Sequence, residues 1–179
     1  MKIYAQTESG YLKNNRRNEI NMLKYSATLE SAKEYAQEKK LDAWIQLYLK
    51  GEGQNTPLSD GLKLHKRYYF SPVEVPLKLF KRCTGPEPQM EFHIDDEWFV
   101  HHVAQIEEAV KAGVDIPPMI VKYEDSRFEL SDGNHRHRAY ENLGIEKGWV
   151  IFWTTEEKDY QDFIKKFGEY VRDCAVIRR

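Results

Sequence analysis

Apolar residues return every three or four positions from Leu29 to Lys39 and again from Leu41 to Lys50, which predicts two helices. Thr28 or Ser31 caps the first, and Trp44, Ile45, Leu47, Tyr48 and Leu49 form the buried side of the second. The run Gly51-Glu52-Gly53-Gln54-Asn55-Thr56-Pro57 breaks this order and marks a boundary. Lys66 to Phe70 and Val73 to Leu77 then read as extended chain, and Lys78 to Glu91, with Gly85, Pro86 and Pro88, as a loop. Farther on, Arg127-Phe128-Glu129-Leu130 alternates as a strand does. Trp149 to Trp153 is continuously apolar, which predicts a strand buried on both faces. A last helix opens at Thr154 or Thr155 and runs through Phe163, Phe167, Tyr170 and Val171, after which the charged end Arg172 to Arg179 frays. At the other end, Lys2 to Thr7 is a candidate first strand.

Strands and helices mixed in this way give an α+β (mixed α/β) protein, with residues 1–65 an α-rich addition to a domain over residues 66–179. The 179 residues suffice for one good core and a small subdomain. Hydrophobic residues at 41% support that core, while a net charge of −2 excludes a globally basic nucleic-acid coat. No apolar run reaches membrane-spanning length, and the polar start lacks the order of a secretion signal, so the expectation is a cytoplasmic protein without a membrane partner. Cys83 and Cys174 are two distant cysteines and read as free thiols.

The densest chemistry lies in Asp132-Gly133-Asn134-His135-Arg136-His137-Arg138, between the Leu130 strand and a helix that Gly144 stops. Gly133 permits a positive φ and close approach to the main chain, and Asp132 or Asn134 is placed to cap the helix. The first amides of a helix favour an anion. His135, Arg136 and Arg138 add side-chain donors, the arginine forks being suited to phosphate oxygens. Cations at this end oppose the helix dipole, so the bland alternative is a solvated surface. His137 reads more simply as an exposed or core-edge histidine. His101 and His102, adjacent on a helix, point about 100° apart and cannot share one ion.

This turn resembles the signature of the ParB/sulfiredoxin superfamily. The Asp-Gly-Asn-His-Arg order is closest to the free serine kinases of that fold. Ile94 to Val110, ended by Gly113, resembles the helix preceding the signature. Ile116-Pro117-Pro118-Met119-Ile120-Val121 resembles its proline-introduced strand, and the likeness spans about Val73 to Trp153. The resemblance implies a nucleotide (ATP, ADP or CTP, with Mg) held by Gly133, Asn134, His135, Arg136 and Arg138. Catalytic roles fall to Asp132 and His135, and a second acid to Glu87 or Glu91 on the loop facing the nucleotide. Asn134 stands where sulfiredoxins have their cysteine, so the chain is not a sulfinic acid reductase. The expected function is phosphoryl transfer to a small-molecule or protein acceptor, or nucleotide hydrolysis. The alternatives are a ParB-like DNA-associated nuclease or CTPase module and a non-catalytic nucleotide sensor. Aromatic and basic residues at Lys66 to Phe70 offer stacking for single-stranded nucleic acid, against the simpler reading of a half-buried strand.

Overall fold

A computed structural model describes residues 23–172 and 176–178, so the candidate strand Lys2 to Thr7 and Cys174 lie outside the described residues. Three helices come first: α1 (Leu29–Gln37), α2 (Leu41–Lys50) and α3 (Thr56–Lys63). Thr28 is the α1 cap, its hydroxyl accepting from the Ser31 amide. The break is shorter than the sequence predicts. Asn55 caps α3 through a bond from the Leu58 amide, and Pro57 sits in the first turn, where its missing N–H costs nothing.

The sheet follows, built of β1 (Tyr68–Phe70), β2 (Val73–Pro76), β5 (Met119–Glu124), β6 (Arg127–Asp132), β7 (Lys147–Thr154) and β8 (Val176–Arg178). Its order is β6-β5-β7-β1-β8, with β2 also on β7. β5 and β7 run parallel and every other pair in this sheet is antiparallel. The β5–β6 hairpin turns on Asp125 and Ser126, both at positive φ, as a two-residue hairpin of this twist demands. β3 (Thr84–Gly85) and β4 (Phe92–His93) form a separate parallel pair, β3 within the stretch Lys78 to Glu91 that the sequence predicts as loop and β4 directly after it. α4 (Asp96–Lys111), α5 (Asn134–Asn142) and α6 (Glu157–Phe167) complete the chain. The Asp95 carboxylate caps α4, with Asp96 and Glu97 favouring its positive end, and Gly113 and Gly144 follow α4 and α5 at positive φ.

Successive strand residues face opposite layers. Tyr69, Ile120, Ile151 and Trp153 meet Trp44, Ile45 and Leu49 of the N-terminal helices on one side. Phe70, Val121, Val150 and Phe152 meet Phe163 of α6 on the other. Both faces are thus covered, which is why β7 reads as unbroken apolar sequence. The helices of residues 23–65 share an interior with the sheet.

Two expectations are corrected. The end of the chain does not simply fray: Val176–Arg178 adds an edge strand to β1, because Ile177 is buried in the first core and Arg178 lies over the Tyr68 ring. Tyr68, Tyr69 and Phe70 are all buried, so their rings are not available to stack on nucleobases.

Candidate functional site

β6 delivers Gly133 to the start of α5 at φ 110°, a conformation that L side chains rarely adopt. A Cβ there would also stand 2.6 Å from Met119 Cγ and 3.1 Å from Arg136 Nη2. Glycine is needed for turn geometry and packing alike. No side chain caps α5, contrary to expectation. The Asn134 Oδ1 instead accepts from the Cys83 and Thr84 amides at 3.0 and 3.1 Å, tying the 83–84 loop to the turn. Cys83 is a free, half-buried thiol.

Arg136 departs most from its predicted role. Its side chain is buried, forms an ion pair with Asp132, and donates through Nη1 to the Pro117 and Pro118 carbonyls, each at 2.8 Å. The Tyr48 ring lies beneath it, 5.3 Å from the guanidinium carbon. Burial opposes its charge, but the Tyr48 and Asp132 oxygens outweigh that and raise its pKa. Asp132 also accepts from Tyr48 Oη at 3.3 Å and Asn55 Nδ2 at 3.2 Å. The correction has a physical reason: carbonyls leaving a proline pair have few other donors, and a buried charge survives only when paired and hydrogen-bonded. Arg136 therefore offers no free fork to a phosphate, and Asp132, surrounded by donors, is not placed as a base.

His135 is likewise turned inward. Its ring packs against α4, with centroids 4.6 Å from Phe99, 5.1 Å from Trp98 and 5.6 Å from His102. Nε2 is buried without a hydrogen-bond partner. Burial first, then the neighbouring His102, Arg136 and Arg82, push its pKa down to about 4, so at neutral pH it brings no charge to a phosphate. The unfolded chain keeps the ordinary value of 6.5. The stabilisation held by the neutral ring is therefore present above pH 6.5 and lost as pH falls towards about 4. Chemical denaturation between pH 7 and 4 should show this decline, and His135→Phe should flatten it. An unchanged slope in that variant would assign the decline to other groups.

Arg138, on the outer side of α5, is different. It is half-exposed and lines two clefts at once. The larger, of about 1070 Å³, lies along α5 and the β2 to β4 segment. Five cations border it: Lys78, Lys81, Arg82, Arg138 and Lys147. Three carboxylates, Glu87, Glu141 and Glu146, stand among them, and His137 lies buried in its wall. The smaller, of about 390 Å³, runs between α4 and α5 over Phe99, Val100 and Val103. Neither cleft is lined by Gly133, Asn134, His135 or Arg136.

Glu87 borders both clefts, but the Arg82 guanidinium grips both its oxygens and holds its carboxyl below the usual range. Glu91 is exposed and lines neither cleft. Among the described residues, no group of three or more His, Cys, Asp or Glu side chains is arranged to hold a metal ion, and no helix is long and apolar enough to cross a membrane. Sequence reasoning missed Arg82, Tyr48, Asn55 and Glu141. Their places depend on contacts across 59 to 84 positions of chain or, for Glu141, on which face of α5 turns outward; no local pattern signals them.

The class is α+β: a mixed sheet between helical layers, with a glycine turn feeding a cationic helix. Over about half its length the chain is similar to several solved structures. Against the sulfiredoxin of Arabidopsis thaliana the TM-score is 0.38 at 19% identity, covering 52% of this chain and 96% of that one. Against a Pnob8-like ParB-N domain it is 0.35 at 16% identity, covering 53% and 34%. Against the C-terminally truncated chromosome-partitioning protein ParB from Caulobacter crescentus, complexed with CTP-γ-S, it is 0.36 at 14% identity, covering 55% and 53%. No family model and no curated protein matches the sequence. Overlaps this loose decide nothing about function, which rests on the residues themselves.

Proposed function

We propose that the protein binds the phosphate tail of a nucleotide in the large cleft beside α5, with Arg138 as a principal contact. The observation that carries this reading is the excess of cationic side chains around a cleft of about 1070 Å³, roomy enough for a small-molecule or cofactor ligand. Exposed lysines and a half-exposed arginine concentrate phosphate, and the guanidinium supplies directed bonds to its oxygens. Magnesium would enter with the phosphates, since it keeps most of its water and needs few protein carboxylates.

Binding without turnover is the form the residues favour. Phosphoryl transfer or hydrolysis needs an acid or base within reach of the phosphate. Asp132 is engaged by Arg136, Tyr48 and Asn55, His135 faces α4, and Glu87 is gripped by Arg82. The residues that the sequence points to for catalysis are thus engaged elsewhere, so the reading is nucleotide binding first, and turnover would fall to the cleft's own carboxylates, Glu141 or Glu146.

Calorimetric titration of the full chain with ATP, ADP and CTP, with and without magnesium, followed by product analysis, tests it. Saturable binding with intact nucleotide is the expected result. Product formation would move the reading to a phosphotransferase or hydrolase. Turnover stimulated by DNA would favour the nuclease or CTPase module. Absence of binding to all three nucleotides would remove the proposal.

A further inference from the structure

Within the large cleft the Glu141 carboxylate meets three side-chain nitrogens: Arg82 Nε at 3.7 Å, Arg138 Nη1 at 3.7 Å and His137 Nδ1 at 3.5 Å. The two arginine contacts are ion-pair distances longer than the usual charge-assisted hydrogen bond, whereas His137 Nε2 donates to the Leu77 carbonyl at 3.4 Å, which leaves Nδ1 of the neutral ring a lone pair without a hydrogen-bond partner. Two of the three groups are almost wholly buried, the Arg82 side chain at 6% exposure and His137 at 4%. Buried donors of this kind usually make short, directed bonds to their counter-ion, as the terminal nitrogens of Arg82 do to Glu87. The contacts of Arg82 Nε and Arg138 to Glu141 are loose by comparison. Glu141 itself is 43% exposed, and it is held to the arginines by ion pairs of 3.7 Å.

We infer that Arg82 and Arg138 form the oxyanion seat of the cleft, with His137 in its wall, and that Glu141 occupies it as an internal stand-in which a phosphate group displaces. The inference rests on the phosphate-binding reading of the cleft. A carboxylate presents two oxygens in one plane and a single charge, whereas a terminal phosphate presents three oxygens and more charge. The phosphate closes the remaining gap to nitrogens that Glu141 leaves about an ångström too far. Arg82 is already oriented for this, because Glu87 takes both its terminal nitrogens and leaves Nε towards the seat. Arg138, half-exposed, is free to close from the solvent side. Glu141 swings into water at little cost. Its presence lowers the apparent affinity, because the seat must be vacated before it is filled.

Titration of the full chain with inorganic tripolyphosphate and with ATP tests the seat, using Glu141→Gln, which keeps the side-chain size and removes the charge. Binding of both ligands should tighten by about five- to tenfold, the effect expected when one competing ion-pair partner is removed. Glu146→Gln neutralises a carboxylate of the same cleft that makes none of these contacts, and should change affinity less. Glu141→Ala should agree with Glu141→Gln. ATP binding by the wild type with no gain in either Glu141 variant, or with an equal gain in Glu146→Gln, would overturn the stand-in while leaving the cleft reading in place. No binding by the wild type or any variant would overturn both.

Discussion

Arg136→Ala should destabilise the protein by about 3–5 kcal/mol, the cost of breaking a buried ion pair from one side. The change leaves the Asp132 carboxylate buried without its charged partner and removes the donor to the Pro117 and Pro118 carbonyls. Denaturant midpoints would report it, and any loss of ligand binding should follow the unfolded fraction. Arg136→Lys should recover little, since an ammonium cannot bridge two carbonyls and a carboxylate in the fixed directions of a guanidinium. Removing Asp132 as well should cost less than the sum of the single changes, because the two residues act as one unit. A variant that stays as stable as the wild type yet loses nucleotide affinity would return Arg136 to the role its sequence context implies.

Arg138→Ala should do the opposite. The side chain is 42% exposed and its nearest ion-pair partner, Glu141, lies at 3.7 Å, so stability should stay within about 0.5 kcal/mol of the wild type. Nucleotide affinity should fall by about ten- to a hundredfold, matching the roughly 1.5–3 kcal/mol of a hydrogen bond to a charged group. Arg138→Lys should restore part of it through charge alone. Parallel calorimetry and thermal melts separate the two effects. Unchanged affinity in Arg138→Ala would remove the main support for phosphate binding along α5.

Much of the fold was legible because it is periodic or punctuated. The α1 and α2 segments repeat at helical spacing, Gly113 and Gly144 stand after α4 and α5, and Trp149 to Trp153 form the unbroken apolar strand. The glycine turn was legible too, since a residue free to take φ 110° is required where β6 passes into α5. What stayed hidden is the direction of the side chains around it. A run of histidines and arginines reads the same whether it faces solvent or the interior. The choice was made by distant partners: the Pro117 and Pro118 carbonyls and Tyr48 for Arg136, and the aromatic face of α4 for His135. Arg138 kept its outward place because no such partner meets it. Val176–Arg178 escaped prediction for a similar reason, because three residues in a charged tail become a strand only where β1 offers a free edge.

β7 belongs to both main cores of the sheet. One of its edges runs along β5, the other passes from β2 to β1, and its residues alternate between the two cores. Loosening either helical layer exposes one side of the same ribbon of backbone, and the opposite layer then loses the surface it rests on. The three tiers should consequently come apart as a single cooperative unit, with one thermal transition and no separate melting point for the N-terminal helices.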